Sequence, residues 1–153
     1  MGGTNFLPLA LGLIIFSFLI NSVLVVPFID LLYKLRLTRR KEALKVLQKI
    51  SENKKKIVVM GDMLELGKLE EKSHREIGQF IGKMKVDYLI GVGKASKILV
   101  AEAEKYLGRA NCACVFSYSE VISILKPHLR GNSVVLIKGS RSISLDKVVS
   151  RLF

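Results

Sequence analysis

Lys138, Gly139, Ser140 and Arg141 bring two cations, a hydroxyl and a glycine to the end of an apolar, β-branched run, SVVLIK (133–138). An Arg fork and a Lys point charge suit a carboxylate or a phosphate, and a glycine lets backbone approach a ligand. A solvated basic turn is the competing reading of the same spacing. A second polar group follows KIVVM (56–60): GDMLELG (61–67) sets Asp62 and Glu65 just past a strand-like run, with Gly61 and Gly67 permitting tight backbone paths. Carboxylates there bind a metal, orient an amine, cap the next helix, or belong to a structured turn. His74 falls in the first turns of the helical stretch that follows. A lone histidine in such a place is ordinarily a polar surface residue.

GVGKAS (91–96) invites comparison with a phosphate loop. The strict pattern needs Gly five residues before Gly93 and Ser or Thr directly after Lys94. The chain has Tyr88 and Ala95 there, so the stretch reads as a strand-to-helix turn. Cys112 and Cys114 are the only cysteines. Their C-x-C spacing has no second ligand pair and no nearby histidine, so they read as small strand residues in a reducing compartment. No metal site is expected.

These groups must be positioned by regular elements, and the chain supplies them in alternation. Strand-like runs at 56–60, 87–93, 112–116 and 133–138 are separated by helical patterns at 70–84, 94–107 and 117–129, with a last helix at 144–153. Ser117 with Glu120 three residues on is a capping-box signature, and Ser144 is a candidate cap. Upstream, Ala43, Leu44, Leu47 and Ile50 form a helical face. Short all-apolar strands between helices predict an α/β fold: a Rossmann-like, mostly parallel sheet with helices on both faces. Right-handed crossovers then gather the loops 61–67, 91–94 and 138–143 at the carboxyl ends of the strands, where such sheets bind ligands.

The first thirty residues are of another kind. Phe6 to Val26 carries no charge, and 15 of its residues are Leu, Ile, Val or Phe. At roughly −0.3 to −0.6 kcal/mol each near a bilayer centre, these outweigh Pro8, Ser17, Asn21 and Ser22. The length is what a bilayer core requires of a helix. A secretory leader would begin with Lys or Arg and be shorter. Of the net charge of +12, residues 1–33 contribute −1, residues 34–56 contribute +8 and the remainder +5. The cations after Lys34 predict a single-pass topology, the amino terminus outside and the rest cytoplasmic, with attraction to anionic head groups. That basic stretch lacks interleaved aromatics, so no nucleic-acid partner is expected. The expected division is 1–33 as transmembrane anchor, 34–55 as basic juxtamembrane helix or linker, and 56–153 as the α/β domain.

Read together, ALKVLQKI, KKIVVMGDMLELGKLEEKSHREIGQFI, VDYLIGVGKASKIL and VVLIKGSRSISLDKVVSRL resemble, in order and spacing, the carboxyl-terminal domain of the MurF branch of the Mur ligase family, the UDP-N-acetylmuramoyl-tripeptide–D-alanyl-D-alanine ligases. The resemblance covers about residues 42–153. It implies a cytoplasmic role in making peptidoglycan precursor. The family uses ATP and Mg2+ to form an acyl phosphate on a peptide carboxylate, which the amine of D-Ala-D-Ala attacks. Of its three domains the first binds the UDP-sugar, the second holds the phosphate loop and the third closes over the site. By motif, the resemblance implies that Asp62, Glu65 and His74 lie on the substrate side. It also implies that Lys138, Ser140 and Arg141 face the reacting groups, where the cations neutralise charge.

Neither the UDP-sugar domain nor a G-K-T/S loop occurs in these residues, so ATP and Mg2+ are not expected to bind this chain alone. The family's Asn-rich segment is replaced by LYKLRLTRRK. Residues 23–40 carry a weaker likeness to the first transmembrane segment of MraY-type transferases. The partners implied are the other ligase domains or another cell-wall enzyme, and a bilayer through residues 6–26. A membrane-tethered, non-catalytic module of cell-wall synthesis is the alternative function.

Overall fold

Side-chain branching decides where the strands fall. In a computed structural model that describes residues 6–63, 66–129, 131–140 and 143–152, the short apolar runs, β-branched in β1 and β4 above all, form β1 (Lys55–Gly61), β2 (Tyr88–Val92), β3 (Cys112–Val115) and β4 (Ser133–Lys138). All pair in parallel, in the order β3-β2-β1-β4. Between and after them come α3 (Glu70–Lys83), α4 (Ser96–Leu107), α5 (Tyr118–His128) and α6 (Asp146–Leu152). The expected parallel α/β sheet is therefore present, in the doubly wound sense.

The chain divides into two units, Met1–Arg36 and Leu37–Phe153. In the first, α1 (Phe6–Ile20) passes through a π-helical turn (Asn21–Val25) into α2 (Val26–Ile50). Side chains from Leu11 to Val25 are exposed. Among the described residues, this is the one helix long and apolar enough to cross a membrane, by length and composition.

In the second unit the core lies on both faces of the sheet. Ile57, Val59, Ile90, Val92 and Val115 pack against Val121 and Leu125 of α5 and Leu145 and Val148 at α6. Alternation turns Val58, Met60 and Leu89 to the opposite face, where all three are fully buried. Gly91 belongs to that face, and a Cβ on it would meet Val100 Cγ2 of α4 at 2.5 Å. Helices α3 and α4 cross closely for the same reason: a Cβ on Gly78 would meet the Leu99 carbonyl oxygen at 2.3 Å, and one on Gly82 would meet the Tyr106 ring at 2.6 Å.

The carboxyl half of α2 joins this layer. Its buried stripe is Leu37, Arg40, Leu44 and Leu47, a 3-4-3 spacing on one side of a helix. Burying Leu44 and Leu47 contributes roughly 2 kcal/mol each. This corrects the expected face: Ile50 is 56% exposed, because the stripe passes instead to Ser51, which is buried. Lys41 of α2 ion-pairs with Glu76 of α3 at 2.5 Å. At α5 the capping box is present, with the Ser117 hydroxyl accepting from Glu120 N and the Glu120 carboxylate accepting from Ser117 N. At the last helix the expectation shifts: Ser144 has φ +51, its carbonyl accepts from Lys147 N, and α6 starts at Asp146.

Candidate functional site

Strand order reverses between β1 and β4, since the chain builds β2 and β3 on one side of β1 and then returns to place β4 on the other. At such a switch point the loops leaving the carboxyl ends diverge to opposite faces and leave a crevice. Here those ends are Gly61-Asp62 and Lys138-Gly139-Ser140. The two glycines let the strands and α6 close up. A Cβ on Gly61 would lie 2.9 Å from Ile143 Cδ1 and 3.2 Å from Gly139 Cα, and one on Gly139 would lie 2.6 Å from Leu145 Cδ1. Their missing side chains are thus filled from within the fold, and the space does not fall to a ligand.

Three side chains from separate parts of the fold pin the backbone just after β1. The Ser140 hydroxyl donates to the Asp62 carbonyl at 3.0 Å. Arg40 of α2, 8% exposed, donates through Nη1 to the Gly61 carbonyl at 3.1 Å and to Met60 Sδ at 2.9 Å. Its Nη2 lies 3.5 Å from the Asp62 carbonyl. His74 of α3 is fully buried. Its Nε2 accepts from Met63 N at 3.1 Å, which leaves the proton on Nδ1, donated to the Glu70 carbonyl at 2.8 Å.

The Asp62 carboxylate turns away from Ser140 and into α4. Oδ1 accepts from Ser96 N and from Ser96 Oγ, each at 2.7 Å, and Oδ2 accepts from Ala95 N at 3.3 Å. Gly93, at φ +111, makes room: a Cβ there would sit 2.3 Å from Asp62 Oδ2. An anion at the first turn of a helix is favoured by its free N–H groups and dipole. Asp62 therefore does cap a helix, but α4 rather than the next helix in sequence. The amides that a bound phosphate would use at GVGKAS are already taken.

Lys138 is exposed at the end of β4. It borders an open groove of about 570 Å³ with Ser140, Ser144 and Asp146. Asp62, His74 and Ser140 are thus brought together, with Lys138 at the rim. His74 is inside, not on the surface where its type and position suggested. Glu65 and Arg141 lie outside the described residues. Sequence reading missed Arg40, counted among juxtamembrane cations, and Ser96. The signal for Arg40 was its place in the Leu37-Leu44-Leu47 stripe.

Burial pushes the Cys112 thiol up to about 11 and raises that of Cys114, making both poor thiolates. Among the described residues no three of His, Cys, Asp and Glu converge as metal ligands. With the α4 amides given to Asp62, these residues do not by themselves fit the nucleotide phosphates or Mg2+ that the family resemblance implies.

A family profile described as Mur ligase, glutamate ligase domain, matches residues 37–141, more than half of the chain. The UDP-N-acetylmuramoyl-tripeptide–D-alanyl-D-alanine ligase of Bacillus subtilis is 30% identical over 115 residues, covering 75% of this chain and 25% of that protein. Its counterpart from Buchnera aphidicola is 34% identical over 112 residues, covering 72% and 23%. The chain thus spans about a quarter of the curated relatives it matches. Among solved structures, MurF from Acinetobacter baumannii superposes with a TM-score of 0.64 at 23% identity, over 76% of this chain and 25% of that one, which speaks to the fold. MurF from Thermotoga maritima in complex with ADP gives 0.50 at 20% identity, over 65% and 22%. The profile begins at Leu37 and overlaps only the last four of residues 23–40, and none of these matches supports the likeness noted there.

Proposed function

The chain belongs to the Mur ligase family through its carboxyl-terminal glutamate ligase domain, of the MurF kind, and we propose that this domain serves the ATP-dependent joining of D-Ala-D-Ala to UDP-MurNAc-tripeptide. The observation that carries the reading is the meeting of β1 and β4 at the switch point, where the Ser140 hydroxyl holds the Asp62 carbonyl at 3.0 Å. That bond fixes the backbone on which Lys138 stands. From the rim, Lys138 offers its ammonium to a carboxylate or phosphoryl oxygen on a domain closing over it. Ser140 keeps free lone pairs to accept from a substrate N–H. Asp62 and His74 act through the scaffold: one holds α4, the other holds Met63. ATP and Mg2+ would supply carboxylate activation, and their phosphate loop belongs to a part of the family's machinery that these residues do not contain. The domain is therefore expected to turn over only with the nucleotide-binding and UDP-sugar-binding domains.

The test is Lys138→Ala and Ser140→Ala in a preparation supplied with those two domains from a relative. Lys138→Ala is expected to lower kcat/KM at least tenfold with the unfolding midpoint unchanged. Unchanged kinetics in both variants would reduce the loop to a turn.

The apolar helix supports a second layer of this reading. Residues 6–26 anchor the domain as a single-pass segment, with the cations after Lys34 holding the domain on the cytoplasmic side. A membrane-tethered module without catalysis, gathering cell-wall enzymes, rests on the same helix. Protease protection in sealed membrane vesicles tests the topology: digestion of the α/β domain from the lumenal side would overturn it. Recovery of active ligase from mixed domains would dismiss the non-catalytic reading.

A further inference from the structure

Arg40 breaks the pattern of its own helix. Leu37, Leu44 and Leu47 fill the buried stripe around it, and a leucine or methionine at 40 would continue that stripe without desolvating a charge. Burying a guanidinium is expensive unless its donors are met. Such a departure from local rules is expected where a fixed geometry serves a site. Here Nη1 donates to the Gly61 carbonyl at 3.1 Å and to Met60 Sδ at 2.9 Å. The Gly61 carbonyl and the Asp62 amide belong to one peptide plane. Arg40 holds its oxygen, and the Val92 carbonyl, 3.0 Å from Asp62 N, holds its N–H. The next plane runs from the Asp62 carbonyl to Met63 N. It is held by the Ser140 hydroxyl at 3.0 Å and by His74 Nε2 at 3.1 Å. The two planes share the Asp62 Cα, so the setting of the first fixes the direction of the second. Arg40 Nη2, 3.5 Å from the Asp62 carbonyl, is too distant to replace Ser140 there.

We infer that Arg40 is a positioning residue of the crevice. From α2 it sets the peptide that leaves β1, and through that peptide the carbonyl on which Ser140 rests and the rim that carries Lys138. It acts through backbone and touches no substrate. The kinetic consequence rests on the ligase reading of the crevice, whereas the structural consequence is read from this chain alone. Arg39, one residue earlier, carries the same charge but is exposed, so it separates the effect of the buried fork from that of a lost cation.

Native-state hydrogen exchange of the full chain in detergent micelles reads the structural part. In Arg40→Met, which keeps an unbranched stem in the stripe, the Asp62 and Met63 amides are expected to exchange about tenfold faster, the size of one lost hydrogen bond. Val58, deeper in β1, keeps its wild-type rate, and Arg39→Met leaves all three amides unchanged. With the UDP-sugar and phosphate-loop domains of a relative supplied, folded Arg40→Met should lower kcat about tenfold with KM for ATP unchanged, since the nucleotide is gripped elsewhere. Arg40→Lys should recover part of that loss. Wild-type exchange at Asp62 and Met63 in Arg40→Met overturns the inference. So does an acceleration shared equally by Val58, which would make Arg40 a prop of the whole fold, or one matched by Arg39→Met. Should Arg40→Met fail to fold, Arg40→Lys carries the same comparison, because a single ammonium does not reproduce the fork. If the wild-type chain shows no turnover, the ligase reading fails and exchange alone decides on Arg40. If the wild type turns over and folded Arg40→Met matches it, the inference fails while the ligase reading stands.

Discussion

Replacing Asp62 with Ala would remove the group that joins β1 to α4. Its carboxylate, on a residue 7% exposed, accepts from Ser96 N, Ser96 Oγ and Ala95 N. A helix cap is worth about 1 kcal/mol, and hydrogen bonds to a charged group about 1.5–3 kcal/mol. The Ser96 hydroxyl keeps the Val92 carbonyl at 3.0 Å as another acceptor, whereas the Ser96 and Ala95 amides lose the carboxylate that caps them, so the expected loss is about 3 kcal/mol. For a domain of this size that corresponds to a fall in Tm of about 10 °C. Asp62→Asn keeps one acceptor oxygen for Ser96 but turns an amide N–H₂ toward Ala95 N, and should cost about half as much. Urea unfolding of the full chain in detergent micelles, followed by far-UV circular dichroism, measures both. An Ala variant within about 0.5 kcal/mol of wild type would refute the reasoning: the carboxylate would then not be holding α4, and its role would have to lie outside the fold.

Gly78→Ala sets a methyl against the Leu99 carbonyl; it should destabilise by about 2 kcal/mol despite the better helix former, as overpacking does, which the same unfolding assay reads. His128, stacked 4.1 Å from Tyr88, is held below the ordinary histidine range, first by burial and then by Lys55. The folded state therefore binds this proton less readily than the unfolded chain, so the stability it contributes is present above about pH 6.5 and falls as pH drops below it. His128→Gln should flatten the loss in urea midpoint between about pH 7.5 and pH 5. Cys112, raised to about 11, should react with an aromatic disulfide reagent at about pH 8 on the order of a hundredfold more slowly in the folded chain than in urea, because the thiolate fraction sets the rate.

Local chemistry was legible in the sequence where it closes on itself. The runs around Ile57, Ile90 and Val135 gave strands because β-branching and flanking turns act within a few residues, and Ser117 with Glu120 gave a cap because both partners lie in one turn. The place of Lys138, Gly139 and Ser140 at the carboxyl edge also followed, from the alternation of strands and helices. What escaped depends on contacts across the fold. Asp62 meets Ser96 only because β1 and β2 lie side by side, bringing residues 34 positions apart to 2.7 Å. His74 reads as polar surface until α3 packs over Met63. Arg40 reads as one cation among ten in residues 34–56, until helical spacing aligns it with Leu37 and Leu44 and a row of carbonyl oxygens at the end of β1 receives it.

The most direct test of the central claim is reconstitution. The full chain is mixed with the separately purified UDP-sugar and phosphate-loop domains of a MurF ligase, and phosphate release from ATP is followed. Release above that of the two domains alone, requiring both UDP-MurNAc-tripeptide and D-Ala-D-Ala, is the predicted result. Release that never rises above the two-domain background, under conditions where an intact relative's own third domain restores it, would contradict the account.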